Sequence, residues 1–128
     1  MTLDSSALIA ILFGESGHLD LVDRILEADD VRISAPTLVE ASLVFAGRRK
    51  SPPAGEVEAL VKELGVTVVP FAEREGHAAV AAFLRFGRGR HRAALNFGDC
   101  LAYAAASVAG DSLLFVGDDF RKTDITPA

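Results

Sequence analysis

Asn96-Phe97-Gly98-Asp99-Cys100-Leu101-Ala102-Tyr103-Ala104-Ala105-Ala106 reads as a helix entered through Asn96 as its N-cap, with Asp99 in the first turn and small or apolar residues on almost every side thereafter. Asp99 is the only charge between Ala93 and Gly110. A helix with no polar face is normally buried, so this carboxylate is expected at the mouth of an interior element rather than on a solvated surface. An acid three residues after an Asn N-cap is also a capping arrangement, and acids suit the positive end of a helix dipole. Capping alone leaves unexplained that the same pattern, one acid stranded in an apolar segment, recurs twice more in the chain.

The first recurrence is Asp4, the sole charge from Met1 through Gly14. Met1-Thr2-Leu3-Asp4 is a predicted opening strand, and Ser5-Ser6 supply cap and turn chemistry before a helical run, Ala7 to Phe13, closed by Gly14. Asp4 too has a capping alternative. The second is Glu40, the only charge of a predicted helix that starts at Ala35-Pro36, after the strand Val31 to Ser34, and runs to Gly47. Leu43 and Val44 stand three and four residues on, so Glu40 shares a face with apolar side chains. A lone ion in such a place costs several kcal/mol unless something neutralises or ligates it.

Between and after these segments strands alternate with helices. Leu19 to Ala28 is amphipathic, with Leu19, Val22, Ile25 and Leu26 on one stripe. Arg48 to Gly55 is a proline-broken loop, Glu56 to Leu64 a helix, and Val66 to Val69 a strand. Ala72 to Phe86 is a helix expected to turn Val80, Phe83 and Leu84 to the core. Ser112 to Val116 is the last strand, followed by Gly117-Asp118-Asp119-Phe120 as a turn. This alternation predicts an α/β fold, a parallel sheet of four to five strands with helices on both faces, in one domain spanning residues 1–128.

With 50% hydrophobic residues the chain needs neither disulfide nor metal to fold. The one cysteine, Cys100, lies in the apolar helix, which fits a reducing compartment. Ala7 to Gly14 is too short to span a bilayer and no basic residue precedes it, so a cytoplasmic protein without a membrane partner is expected. A net charge of −5 at first opposes a polyanionic partner. Four of the eighteen acids, however, fall into one candidate site, and the basic residues cluster as Arg48-Arg49-Lys50 and as Arg85, Arg88, Arg90 and Arg92. A charge run is often merely solvated. Arg88, Arg90 and Arg92 feed directly into the helix carrying Asp99, a position suited to phosphate contact.

In a parallel sheet, residues that follow strands line one edge, where ligands bind near the topological switch point. Asp4 follows the first strand, Glu40 lies early in the helix after the second, Asp118-Asp119 follow the last, and Asp99 opens the helix antiparallel to that last strand. All four carboxylates can converge. Carboxylates meeting in an apolar cleft raise their pKa values or share a cation, and oxygen ligands without His or Cys point to Mg2+ or Mn2+ rather than zinc. Such an ion supports phosphodiester hydrolysis by activated water. No His lies in an acid-bearing segment to act as base for attack by a ribose hydroxyl.

Leu3-Asp4-Ser5-Ser6-Ala7-Leu8, Thr37-Leu38-Val39-Glu40, Asn96 to Ala104 and Phe115-Val116-Gly117-Asp118-Asp119-Phe120, in that order and spacing, resemble the PIN domain of VapC-type toxins over essentially the whole chain. The resemblance implies a three-layer α/β/α domain and a Mg2+-dependent endoribonuclease, with Mn2+ able to substitute, that cuts structured RNA such as tRNA or ribosomal RNA. It also implies a small VapB-type antitoxin as partner and a homodimer. Carried over by position, Asp4 and Asp99 are the principal metal ligands and Glu40 completes the metal site or its water shell. The fourth acid is Asp119, with Asp118 as the alternative. Ser5 or Ser6 holds the place of a hydroxyl supporting Asp4. Ile9, Leu12 and Phe13 are either antitoxin-facing surface or plain core. Outside nuclease chemistry the alternative is a catalytically inactive PIN-like binding module. A phosphate-transfer protein on a similar sheet fits less well, because a receiver wants paired acids after the first strand and a phosphatase of the haloacid-dehalogenase type wants a second Asp where Ser6 stands.

Overall fold

Four short strands pair in a computed structural model that describes residues 1–49 and 52–128: β1 (Thr2–Leu3), β2 (Arg32–Ser34), β3 (Thr67–Val69) and β4 (Leu113–Leu114). They form one all-parallel sheet in the order β3-β2-β1-β4, with Thr2 in register with both Arg32 and Leu113. Pro127 adds a parallel bridge on the outer side of β4, at Leu113. Around the sheet run α1 (Ser5–Leu12), α2 (His18–Glu27), α3 (Ala35–Arg48), α4 (Glu56–Glu63), α5 (Glu73–Phe86) and α6 (Phe97–Ala109), with a 3-10 turn at Phe120–Lys122. The chain steps outward from β1 to β2 to β3 and then returns to the other side of β1 for β4. The topological switch point therefore lies between the carboxyl ends of β1 and β4.

Period-2 alternation divides the core in two. Leu113 packs with Ala79, Ala82, Phe86, Ala102 and Tyr103, whereas Leu114, its neighbour, packs with Leu3, Leu8, Ile33, Ala41 and Phe45. One face of the sheet is thus covered by α1 to α4 and the other by α5 and α6, the three-layer arrangement expected.

Several details differ from expectation. The strands are shorter: Phe115 and Val116 leave β4, and Asp4 already caps α1. Helix α3 continues through Gly47 to Arg48, one residue into the segment expected as loop; Lys50 and Ser51 of that expected segment lie outside the described residues. On α5 the inward residues are Ala79, Ala82 and Phe86, while Val80, Phe83 and Leu84 are exposed. The reason is close packing against α6: small side chains on both helices let the axes approach, and the bulky residues are left on the flank. On α2 only Ile25 is buried, and Leu19 and Leu26 face outward. Ile9 is core, at 5% exposure, and Phe13 stacks on Phe45 with ring centroids 5.2 Å apart.

Candidate active site

Asp4 is placed by the abrupt passage from β1 to α1. Its extended backbone makes it the N-cap, with Oδ2 accepting from the Ser6 N–H at 3.0 Å and from the Ser6 hydroxyl at 2.5 Å. The same hydroxyl accepts the Val116 N–H at 3.0 Å, tying the segment that leaves β4 to the end of β1. Asp4 is 4% exposed, and its Oδ1 is buried without a hydrogen-bond partner among the described residues. Burial, with help from the nearby charges of Asp99 and Glu40, pushes its carboxyl up to about 6 against the downward pull of the Ser6 bonds.

Glu40 projects from the second turn of α3, which Ser34 caps through its hydroxyl. Burial raises its pKa, a bond from the Ser5 hydroxyl lowers it, and the Asp99 charge raises it again. Asp99 stands in the first turn of α6, where it and Asn96 form a reciprocal capping box: Asp99 Oδ2 accepts the Asn96 N–H at 2.8 Å and Asn96 Oδ1 accepts the Asp99 N–H at 2.9 Å. Partial burial raises the Asp99 pKa against the Asn96 bond. Asp119 adds to the rise and Arg88 opposes it.

Capping and clustering are therefore not rival explanations. Asp4 caps α1 and Asp99 completes the capping box of α6, each with one oxygen, and both bring charge to a common place. Asp4, Glu40 and Asp99 feel one another directly, and Asp119, at 62% side-chain exposure, joins from the rim through Asp99. Asp118 is more exposed, at 82%, and pairs with Arg121. Of the basic loop, Arg88 is the arginine whose charge reaches Asp99, whereas Arg90 lies over the Phe83 ring at 5.6 Å and Arg92 is exposed. Among the described residues no three acidic, His or Cys side chains already enclose a common point. The chemistry of the set still fits a hard divalent cation: every group is a carboxylate, their charges repel, and one buried oxygen has no partner.

Sequence reasoning missed two contributions. The Ser6 bond to Val116 depends on a contact between the two ends of the chain, which local patterning cannot show. Gly98, against which the Glu40 carboxylate rests, does carry a local signal: a glycine inside a helix immediately before the conspicuous acid.

Residues 1–125 match the PIN domain family. The chain belongs to that family. Within it the similarity runs to the VapC proteins. Ribonuclease VapC36 of Mycobacterium tuberculosis is 43% identical over 126 residues, covering 98% of this chain and 91% of that protein. Ribonuclease VapC of Mycolicibacterium smegmatis is 39% identical over 126 residues, 98% of this chain and 97% of that protein. The fold of this PIN domain is likewise that of solved toxins. The crystal structure of Mycobacterium tuberculosis VapC20, a sarcin-ricin loop cleaving toxin, superposes with a TM-score of 0.76 over 99% of this chain and 97% of that one, at 17% identity. A toxin-antitoxin complex from Klebsiella pneumoniae gives 0.71 over the same shares, also at 17% identity. No helix among the described residues of this PIN domain is long and apolar enough to cross a membrane.

Proposed function

We propose that this chain is an endoribonuclease, the toxin of a toxin–antitoxin pair, hydrolysing RNA phosphodiester bonds at the Asp4, Glu40 and Asp99 cluster with Asp119 at its rim. The observation that carries this reading is Asp4, a carboxylate buried at the switch point with one oxygen unpartnered and two further acids pressing on it. A folded protein keeps so costly an arrangement where a cation relieves it. Asp4 and Asp99 are the principal ligands, with Glu40 and Asp119 completing the set, and Mg2+ is the ion, Mn2+ substituting. When bound, such an ion polarises a phosphate oxygen and lowers the pKa of water.

The protein's own groups do the rest. Ser6 holds Asp4 in one orientation, Asn96 fixes Asp99, and Arg88, beside Asp99 on an exposed loop, receives backbone phosphate with Arg90 and Arg92 further along. The ribonuclease names of relatives near 40% identity support RNA as substrate, and the sarcin-ricin loop cleaved by the structural neighbour VapC20 supports a structured ribosomal or transfer RNA. The Klebsiella toxin-antitoxin complex supports an antitoxin as partner; we take it to be of the VapB type and the cytoplasm to be where the two meet.

A homodimer is supported by a mostly apolar groove of about 620 Å³, lined by Val39, Leu43, Phe71, Phe97 and Leu101 and bordered by Glu40 and Gly98 of the candidate site, which continues past Phe97 to Val80 and Phe83. Phe97 is 80% exposed and Leu43 68%, a contiguous patch of the kind that marks interfaces.

The test is cleavage of total cellular RNA by purified protein in Mg2+ or Mn2+, with EDTA, and with Asp4→Asn or Asp99→Asn. Discrete metal-dependent cuts leaving 5′-phosphate ends and lost in both variants are expected. Cleavage that survives EDTA and both substitutions would overturn the site; no cleavage together with no Mn2+ binding by calorimetry would make the protein a binding module.

A further inference from the structure

Gly98 sits in the first turn of α6 with a backbone that does not require glycine, since it is not among the residues of positive φ. Glycine is a poorer helix residue than alanine, so its presence here calls for a tertiary reason. That reason is Glu40. Both carboxylate oxygens and the carboxyl carbon of Glu40 lie within 2.6 Å of where a Cβ on residue 98 would stand. The Ser5 hydroxyl of α1 also bears on the same carboxylate, favouring its ionised form. Three helices thus meet on one side chain: α3 supplies it, α1 holds it, and α6 leaves the space it fills, one residue before Asp99.

We infer that Gly98 is a positioning residue for the third carboxylate: lacking a side chain, it lets Glu40 seat on the first turn of α6 beside Asp99. The inference rests on the metal-site reading above. The three atoms nearest to a methyl group at residue 98 all belong to the far end of a flexible side chain, that of Glu40. Gly98→Ala therefore swings the Glu40 carboxylate away while leaving α6 intact, removing an acid from the site without substituting one.

The experiment is a double-mutant cycle on the full chain, reading Mn2+ affinity by calorimetry, thermal unfolding of the metal-free protein, and kcat and KM for RNA cleavage. Gly98→Ala is expected to weaken Mn2+ binding about tenfold and to lower kcat with little change in KM, while the metal-free unfolding temperature stays level or rises. In a Glu40→Ala background, where the carboxylate is gone, the same substitution is expected to change Mn2+ affinity less than about twofold. Gly98→Ala binding Mn2+ as tightly as the parent would overturn the inference, because Glu40 would then need no such space. An equal loss in the Glu40→Ala background would also overturn it, because residue 98 would be acting through the helix. Failure of the parent protein itself to bind Mn2+ is distinct from both and would overturn the metal-site reading, and this inference with it.

Discussion

The Ser6 hydroxyl donates to Asp4 Oδ2 at 2.5 Å while accepting the Val116 N–H at 3.0 Å, so one oxygen joins the end of β1 to the segment that carries Asp118 and Asp119. Both Ser6 bonds to Asp4 favour its ionised form. Ser6→Ala is expected to raise the Asp4 pKa, move the acid limb of the activity profile to higher pH, and reduce kcat on the order of 10–100-fold, as loss of a supporting partner does. A pH–rate profile of the variant checks this. An unmoved acid limb would show that Ser6 does not tune Asp4.

Asp4 makes the metal-free protein pay for its site. Its pKa is higher folded, about 6, than the ordinary 3.8, so the folded state binds the proton more tightly. Its contribution to stability is therefore complete below the ordinary value and is lost as pH rises from there through about 6. At neutral pH the penalty is about 3 kcal/mol. Asp4→Asn is expected to raise the metal-free unfolding temperature at pH 7 by several degrees, with the gain vanishing toward pH 4, while cleavage is lost. Saturating Mn2+ reverses the order, because only the parent gains binding energy. Differential scanning calorimetry across pH, with and without Mn2+, measures all of these.

Asp119 and Asp118 separate on the same grounds. Each pairs with a basic residue three positions on, Asp118 with Arg121 and Asp119 with Lys122, but the charge that bears on Asp99 is that of Asp119. Asp119→Asn is expected to lower kcat several-fold or more, and Asp118→Asn to leave it within about twofold of the parent, surface ion pairs of this kind being worth little. Steady-state cleavage of one defined RNA distinguishes them, and the opposite ranking would assign the fourth acid to Asp118.

At the amino edge of the sheet, Asp111 Oδ2 accepts the Thr2 hydroxyl at 2.8 Å and lies 3.3 Å from Arg32 Nε and 3.6 Å from the Met1 ammonium. Thr2 is 1% exposed. Asp111→Ala leaves that hydroxyl buried and unpaired and is expected to cost about 1–3 kcal/mol of stability. Because this edge is opposite the one bearing Asp4, kcat at a permissive temperature is expected to be unchanged. Denaturant unfolding beside a cleavage assay provides the check.

The three solitary acids, the Asp118-Asp119 pair after the last strand, the Asn96 cap and the alternation of strands with helices were legible in the residues, because each is local: a charge stranded in an apolar segment, acids at the end of a strand, a cap three residues from its partner, a change of hydrophobic period. From them follow the parallel sheet, the edge on which the acids gather and the family resemblance. Three matters were decided only in the folded chain. Which residues of α5 turn inward depends on how near α6 can approach, and there Ala79 and Ala82 prevail over Val80 and Leu84. Which member of the Asp118-Asp119 pair reaches Asp99 depends on the turn that follows β4. How Glu40 is held depends on Ser5 and Gly98 meeting it from two other helices, contacts between segments far apart in the chain. Periodicity reports which face a side chain occupies, and only packing reports what stands opposite it.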